Sequence, residues 1–309
     1  MRAVRCTGGS VEVVDVPRPS GEGVRVRVHS AGICGSDLHL LGNVEGITLG
    51  HEIAGVTEDG TAVAVEPLSP CNACPPCERG DINLCESGPA MIHGIARDGG
   101  MADEILVPTG AVVPLPGAVR LADACLVEPI AVVVHGLRRA RLRSDERVAV
   151  VGGGNIGLCA VAAARASGAE VALVARHDRQ REAGERLGAV PTSGEYDLVV
   201  EAAGTESALQ DAVALARPGG RVAIVGSYWQ PVGLPGLQMC MKEVDLIPAS
   251  MYGREGTVRD MEVASAVLAS NPEIPRALIT HRFPLEGAPE AFLAAADRQA
   301  GAIKVVLEP

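Results

Sequence analysis

Val24, Val26 and Val28 alternate with Arg25, Arg27 and His29, the two-residue period of a strand with one buried face. A similar run covers 11–16, separated from it by P-R-P-S-G-E-G. Short apolar runs broken by glycine and proline continue to about residue 115, which predicts an irregular, mostly β first domain. The pattern then changes. Residues 130–140 read as a helix, and apolar runs of strand length beginning at Val148, at 171–175, at 197–201 and at 221–225 alternate with helical patterns. That alternation predicts right-handed βαβ units around a parallel sheet. The expected division is a first domain over 1–130, an α/β domain over 131–274, and a tail over 275–309 that carries a short helix and a strand-like run at 303–307.

The first strand of the α/β half runs into V-V-G-G-G-N-I-G, and an alanine-rich helical stretch follows. Gly152, Gly154 and Gly157 have the G-x-G-x-x-G spacing, with Asn155 and Ile156 between the second and third glycines. The first glycine allows a tight turn, the second lets backbone approach a pyrophosphate, and the third lets helix and strand pack closely. The helix N-terminus adds free N–H groups and a positive dipole end. A glycine-rich turn can be only a turn, but its place between a strand and a helix predicts a dinucleotide site.

Composition narrows the partners. The chain has 309 residues, 47% of them hydrophobic, with a formal net charge of −11, and no basic stripe offsets that balance. Nucleic acid is therefore not an expected partner. The densest basic run, Arg138, Arg139, Arg141 and Arg143, reads as a solvated helix end. No apolar run is long enough to span a membrane and the N-terminus has no apolar signal core, so a cytoplasmic location is the expectation.

Four of the nine cysteines fall in C-N-A-C-P-P-C-E-R-G-D-I-N-L-C, as Cys71, Cys74, Cys77 and Cys85. Four thiolates on one short loop can close a tetrahedral zinc site with no open position. A disulfide or redox cluster is the alternative, and an odd, scattered cysteine count in a chain this long argues against a disulfide framework. Earlier, A-G-I-C-G-S-D-L-H and G-H-E-I-A-G place a thiol, an imidazole and a carboxyl at Cys34, His51 and Glu52. That mixed set suits a zinc with an exchangeable position. A buried structural cysteine and a satisfied histidine would be the plainer reading.

Together these segments, with V-E-P at 127–129 and R-P-G-G-R-V-A-I-V-G at 217–226, resemble the zinc-dependent medium-chain alcohol dehydrogenases, in that family's order and over nearly the whole chain. The resemblance implies a GroES-like catalytic domain, completed by the tail, and a Rossmann doubly wound cofactor domain. It places Cys34, His51 and Glu52 on the catalytic zinc and Cys71, Cys74, Cys77 and Cys85 on a structural zinc, two metals per chain. It makes Ser36 the hydroxyl that relays the substrate proton, His39 a continuation of that path, and Asp37 an acid supporting the metal site. Glu128 stands where ethanol-type members carry a zinc cysteine. Glutamate there is the pattern of the sorbitol and polyol branch, where it meets the metal directly or through its water. Gly226 ends a strand near the expected nicotinamide. Met251, in place of that branch's arginine, and shortened segments at 39–50 and 55–67 argue against sorbitol itself.

An acid at the end of the second strand of the α/β half would mark NAD. Ala175 stands there, followed by Arg176 and Arg179, which could pair with a 2′-phosphate. NADP(H) is therefore the expected cofactor. The expected activity is hydride transfer between NADP(H) and a secondary alcohol or ketone, such as a polyol, a cyclitol or a specialised-metabolism intermediate. Two alternatives stay open: a same-fold reductase whose only zinc is structural, and a zinc- and nucleotide-binding sensor or scaffold. The resemblance also implies a homodimer or homotetramer.

Overall fold

A computed structural model describes residues 1–297 and 301–309. The chain forms two compact units. The first comprises Met1–Glu128, Gly253–Ala269 and Ile279–Pro309, and the second comprises Pro129–Tyr252 and Ser270–Leu278.

The first unit opens with a two-stranded ribbon, β1 (Arg2–Thr7) and β2 (Ser10–Asp15). Strand β3 (Val24–Ile33) follows, then the short helix α1 (Gly35–Leu40), β4 (Glu52–Thr57) and β5 (Ala62–Val65). One turn of helix, α2 (Pro75–Glu78), lies within the cysteine loop, before β6 (Glu104–Val107) and β7 (Val112–Pro114). Helix α3 (Val127–Arg139) then leads to the strands of the second unit, β8 (Arg147–Val151), β9 (Glu170–Val174), β10 (Tyr196–Glu201), β11 (Ala216–Ile224) and β12 (Asp245–Pro248). Between them come α4 (Asn155–Ala166), α5 (Asp178–Arg186), α6 (Glu206–Leu215) and α7 (Gly236–Lys242). The chain ends with the hairpin β13 (Arg254–Glu255) and β14 (Val258–Arg259), α8 (Asp260–Ser270), α9 (Glu273–Leu278), β15 (Ile279–Pro284), α10 (Ala288–Ala296) and β16 (Lys304–Glu308).

β3 organises the first unit. The alternation at 24–29 buries Val26 and Val28 and exposes Arg27 and His29. From Ser30 to Ile33 every residue is buried, because β3 there lies between β4 and the C-terminal strand β16. The pairings put Gly32 opposite Glu52 and Ile33 opposite Val305. Three strands distant in sequence therefore end side by side. A core of Val26, Val28, Ile53, Val65, Val305, Leu307 and neighbours lies beneath them. Fully burying each such side chain contributes about 1.5–3 kcal/mol.

The segment Gly253–Ala269 groups with this first unit, not with residues 131–274 as the sequence reading has it. Arg259 shows why: its guanidinium donates to Gly110 O (2.7 Å) and Val112 O (3.0 Å) and lies 3.5 Å from the buried Glu66.

In the second unit the parallel sheet has the order β12-β11-β10-β8-β9. The chain runs outward from β8 to β9, then returns to β10 on the other side of β8. A doubly wound sheet binds ligands at such a reversal, beyond the carboxyl ends of the strands. The strand that would lie outside β9 is reduced to a single bridge between Ala172 and Val190. Among the described residues no helix is long and apolar enough to cross a membrane.

Candidate metal centres and cofactor turn

Sheet register builds the inner centre. Cys34 follows β3 and caps α1, while Glu52 opens β4 and His51 immediately precedes it. The ligand atoms of Cys34, His51 and Glu52 lie within 4.8 Å of one another. Asp37, buried in the first turn of α1, works on both sides of this group. Its Oδ2 accepts from Cys34 N (2.8 Å), and its Oδ1 lies 3.3 Å from His51 Nδ1, an ion-pair distance at which the ring is not aligned for a full hydrogen bond. The other ring nitrogen, Nε2, is 3.4 Å from Ser36 Oγ. Burial alone would lower the His51 pKa, but Asp37 and Cys34 together hold it well above the ordinary value.

Glu52 is fully buried, and both its oxygens accept from Lys304 Nζ, at 2.6 and 2.7 Å. Lys304 is itself buried and donates a third bond to Ile33 O (2.9 Å). Burial would depress its pKa, yet Glu52 and then Cys34 raise it, so the ammonium stays charged. A Cβ on Gly32 would sit 1.9 Å from Glu52 Oε2, so only glycine leaves room for the carboxylate. The sequence reading missed Lys304. The available signal was a lone lysine within the apolar run I-K-V-V-L.

Of the other expected residues, Ser36 is half-buried beside the group and His39 is exposed three residues further along α1, on the same helical face. Glu128 is buried in the first turn of α3 but lies outside the group of three. Tyr252 is fully buried and packs in the interior.

The outer centre is local. Cys71, Cys74, Cys77 and Cys85 bring their sulfurs within 4.8 Å of one another, and none is in a disulfide. Asn72, at φ 58°, turns the chain between the first two, and Pro75 and Pro76 start α2 from Cys74. Backbone N–H groups point at the sulfurs: Cys71 N and Ser87 N at Cys85 Sγ (3.3 and 3.4 Å), and Glu86 N at Cys74 Sγ (3.5 Å). The Cys71 N–H, with Ser87, pulls the Cys85 thiol down to about 6, while burial and the Cys74 thiol push Cys77 up to about 12. Such a cluster cannot ionise fully without a cation in its middle. Both donor sets fit zinc: four sulfurs in one, a sulfur, a nitrogen and a carboxylate in the other.

The glycine turn also takes its expected form. Gly152 has φ +114°, which L side chains rarely adopt, and a Cβ on Gly157 would lie 1.7 Å from Gly152 O. A Cβ on Gly154 would meet nothing within 4 Å, which is the room a close-approaching pyrophosphate requires. Asn155 Oδ1, at the start of α4, is buried with no protein partner. Ile156 lies in the first turn of α4, half-buried. This turn fits a dinucleotide. Ala175 follows β9 as read, and the exposed Arg176 donates to Ser207 Oγ (2.9 Å). Asp178, which could be mistaken for a ribose acid, is paired with Arg181.

Residues 20–117 match the alcohol dehydrogenase GroES-like domain, and residues 155–267 match the zinc-binding dehydrogenase domain. The chain is 30% identical to L-galactonate-5-dehydrogenase of Escherichia coli over 90% of its length and 89% of the relative. Among solved structures it is similar to galactitol-1-phosphate dehydrogenase of Escherichia coli (TM-score 0.90, 29% identity, all of both chains). It is also similar to a zinc-binding dehydrogenase of Sinorhizobium meliloti bound to NADP (TM-score 0.88, 29% identity, 100% of this chain and 99% of the other). The chain belongs to the zinc-dependent medium-chain alcohol dehydrogenases. Within them it is polyol-dehydrogenase-like, and it is a zinc-dependent alcohol oxidoreductase.

Proposed function

We propose that this enzyme interconverts a secondary alcohol and its ketone with NADP(H), using Cys34, His51 and Glu52 to hold a catalytic zinc and the four cysteines to hold a structural one. The convergence of those three side chains, with Ser36 on one side of the imidazole and Asp37 on the other, is the observation that carries the reading. When bound, zinc supplies Lewis acidity that makes an alcohol proton easier to lose. The nicotinamide supplies the acceptor for the hydride from the carbinol carbon.

The chain's own residues move the proton and hold the geometry. Ser36 Oγ accepts the alcohol proton as its own hydroxyl proton passes outward, with His39 next along α1 to carry it to solvent. Asp37 faces His51 Nδ1, so the ring proton sits on that nitrogen and Nε2 is left to the metal, a positioning role that metal-site histidines commonly require. Lys304 neutralises Glu52, so this carboxylate is shared between an ammonium and the metal site. Glu128, buried at the start of α3 and outside the group of three, would meet that metal directly or through a water.

Two features support NADP(H). No acid stands at Ala175, and among the described residues Arg176 and Arg179 have no ion pair that would compete for a 2′-phosphate. Two of the relatives named above carry the names of a sugar acid and a sugar-alcohol phosphate. A polyol, a cyclitol or a specialised-metabolism alcohol is the substrate class proposed here, and a homodimer or homotetramer the assembly. Turnover of a panel of polyols, cyclitols and simple secondary alcohols with NADP and with NAD tests the reading. Activity on polyhydroxylated secondary alcohols with at least tenfold preference for NADP is expected. No turnover on any panel member despite nucleotide binding would overturn it in favour of a binding protein.

A further inference from the structure

Glu201 closes β10, is fully buried, and has no cationic partner among the described residues. Its Oε1 accepts from Ala203 N and Gly204 N, both at 2.8 Å, and its Oε2 accepts from Tyr228 Oη at 2.8 Å. Its main-chain oxygen accepts from Val225 N (2.9 Å) and Gly226 N (3.0 Å) at the end of β11. One residue thus ties together the carboxyl ends of two neighbouring strands and the loop between β10 and α6. That loop supports the glycine turn. A Cβ on Gly152 would lie 3.0–3.1 Å from Ala202 and Ala203, and Ala202 N donates to Val151 O (2.9 Å). Close packing excludes side chains here as well: a Cβ on Gly226 would meet Gly204 N at 2.4 Å and Glu201 Oε2 at 2.6 Å.

Tyr228 is the one part of this arrangement that the strands do not require. It lies beyond the end of β11, in a chain with only six aromatic residues, and it reaches back to Glu201 with its ring half-exposed. In a doubly wound sheet a dinucleotide spans the reversal, with its adenosine half beyond the first two strands and its other half beyond the strands across the switch. Here Ala175 and Arg176 end the β9 side, while Tyr228 and Glu201 sit on the β10–β11 side.

We propose that Tyr228, held by Glu201, is a positioning residue for the nicotinamide half of the cofactor. The inference rests on the nucleotide reading above. The phenol hydroxyl latches the end of β11 to the end of β10, so the backbone at Gly204, Gly226 and Ser227 is set before the ligand arrives. Preorganisation of this kind raises affinity by removing the ordering cost from the binding step. Loss of the hydroxyl leaves one oxygen of a buried carboxylate unmatched, which frees the loop to move.

The test compares two ligands that differ only in the nicotinamide. Dissociation constants are measured by fluorescence and calorimetry for NADPH and for 2′-phospho-ADP-ribose, or for NADH and ADP-ribose if the wild type binds those more tightly. Tyr228→Phe should weaken the reduced dinucleotide about tenfold and raise its KM, with the nicotinamide-free fragment unchanged within twofold. Glu201→Gln keeps a hydrogen-bonding group at both positions and should stay within about threefold of the wild type. Equal dinucleotide affinity in Tyr228→Phe and wild type would overturn the proposal, as would an equal loss for both ligands, which marks a general structural defect. A wild type that binds neither dinucleotide would instead sink the nucleotide reading itself.

Discussion

The four-cysteine loop and the Cys34–His51–Glu52 group lie in the same compact unit and reach metal-binding geometry by opposite routes. The loop draws all its donors from residues 71–85, and its geometry comes from one positive-φ asparagine, two prolines and backbone N–H groups. The inner group draws its parts from three strands, and its decisive ion pair joins Glu52 to Lys304 across 252 residues of chain. The loop is a local device that can fail locally. The inner group is a consequence of sheet register, so a fault in it is a fault in the core.

Four substitutions separate the two. Lys304→Met should have the largest effect on folding of the zinc-free protein, because there it leaves Glu52 buried and unpaired, a loss of about 3–5 kcal/mol. Denaturant unfolding checks it, and the double variant Lys304→Met with Glu52→Gln should recover much of the loss. Asp37→Asn removes the charge behind His51 and should weaken zinc at the inner site about 10–100-fold in a chelator competition, with the loop's zinc unchanged. Gly32→Ala drives a methyl group into Glu52 and should cost about 1–3 kcal/mol by thermal and denaturant unfolding. Cys77→Ser should have the smallest effect on global unfolding. Its signature is faster proteolysis within residues 71–85, since only a local segment is released.

The same contrast explains what could be read from the chain in advance. The cysteine spacing and the glycine turn are legible because each is a short-range pattern with one geometric meaning. The alternating valines at 24–28 and the apolar run at 303–307 identify strands β3 and β16, but not that these two strands pair. Without that pairing, Lys304 is only a lysine in an apolar run, and its partnership with Glu52 is invisible. The same limit applies at Arg259, whose contacts with Gly110 and Val112 assign Gly253–Ala269 to the first unit. Nothing local in R-E-G-T-V-R-D carries that information. Glu201 and Tyr228 are a further case: the ends of two strands are close only once the sheet order is known.

The central claim is that the inner group holds a metal distinct from the loop's, and zinc content per chain measures it most directly. Elemental analysis of wild type, Cys34→Ala and Cys77→Ala should give two, one and one zinc per chain, with dehydrogenase activity lost in Cys34→Ala. One zinc in the wild type, retained in Cys34→Ala and lost in Cys77→Ala, would contradict the claim and leave only the loop as a metal site.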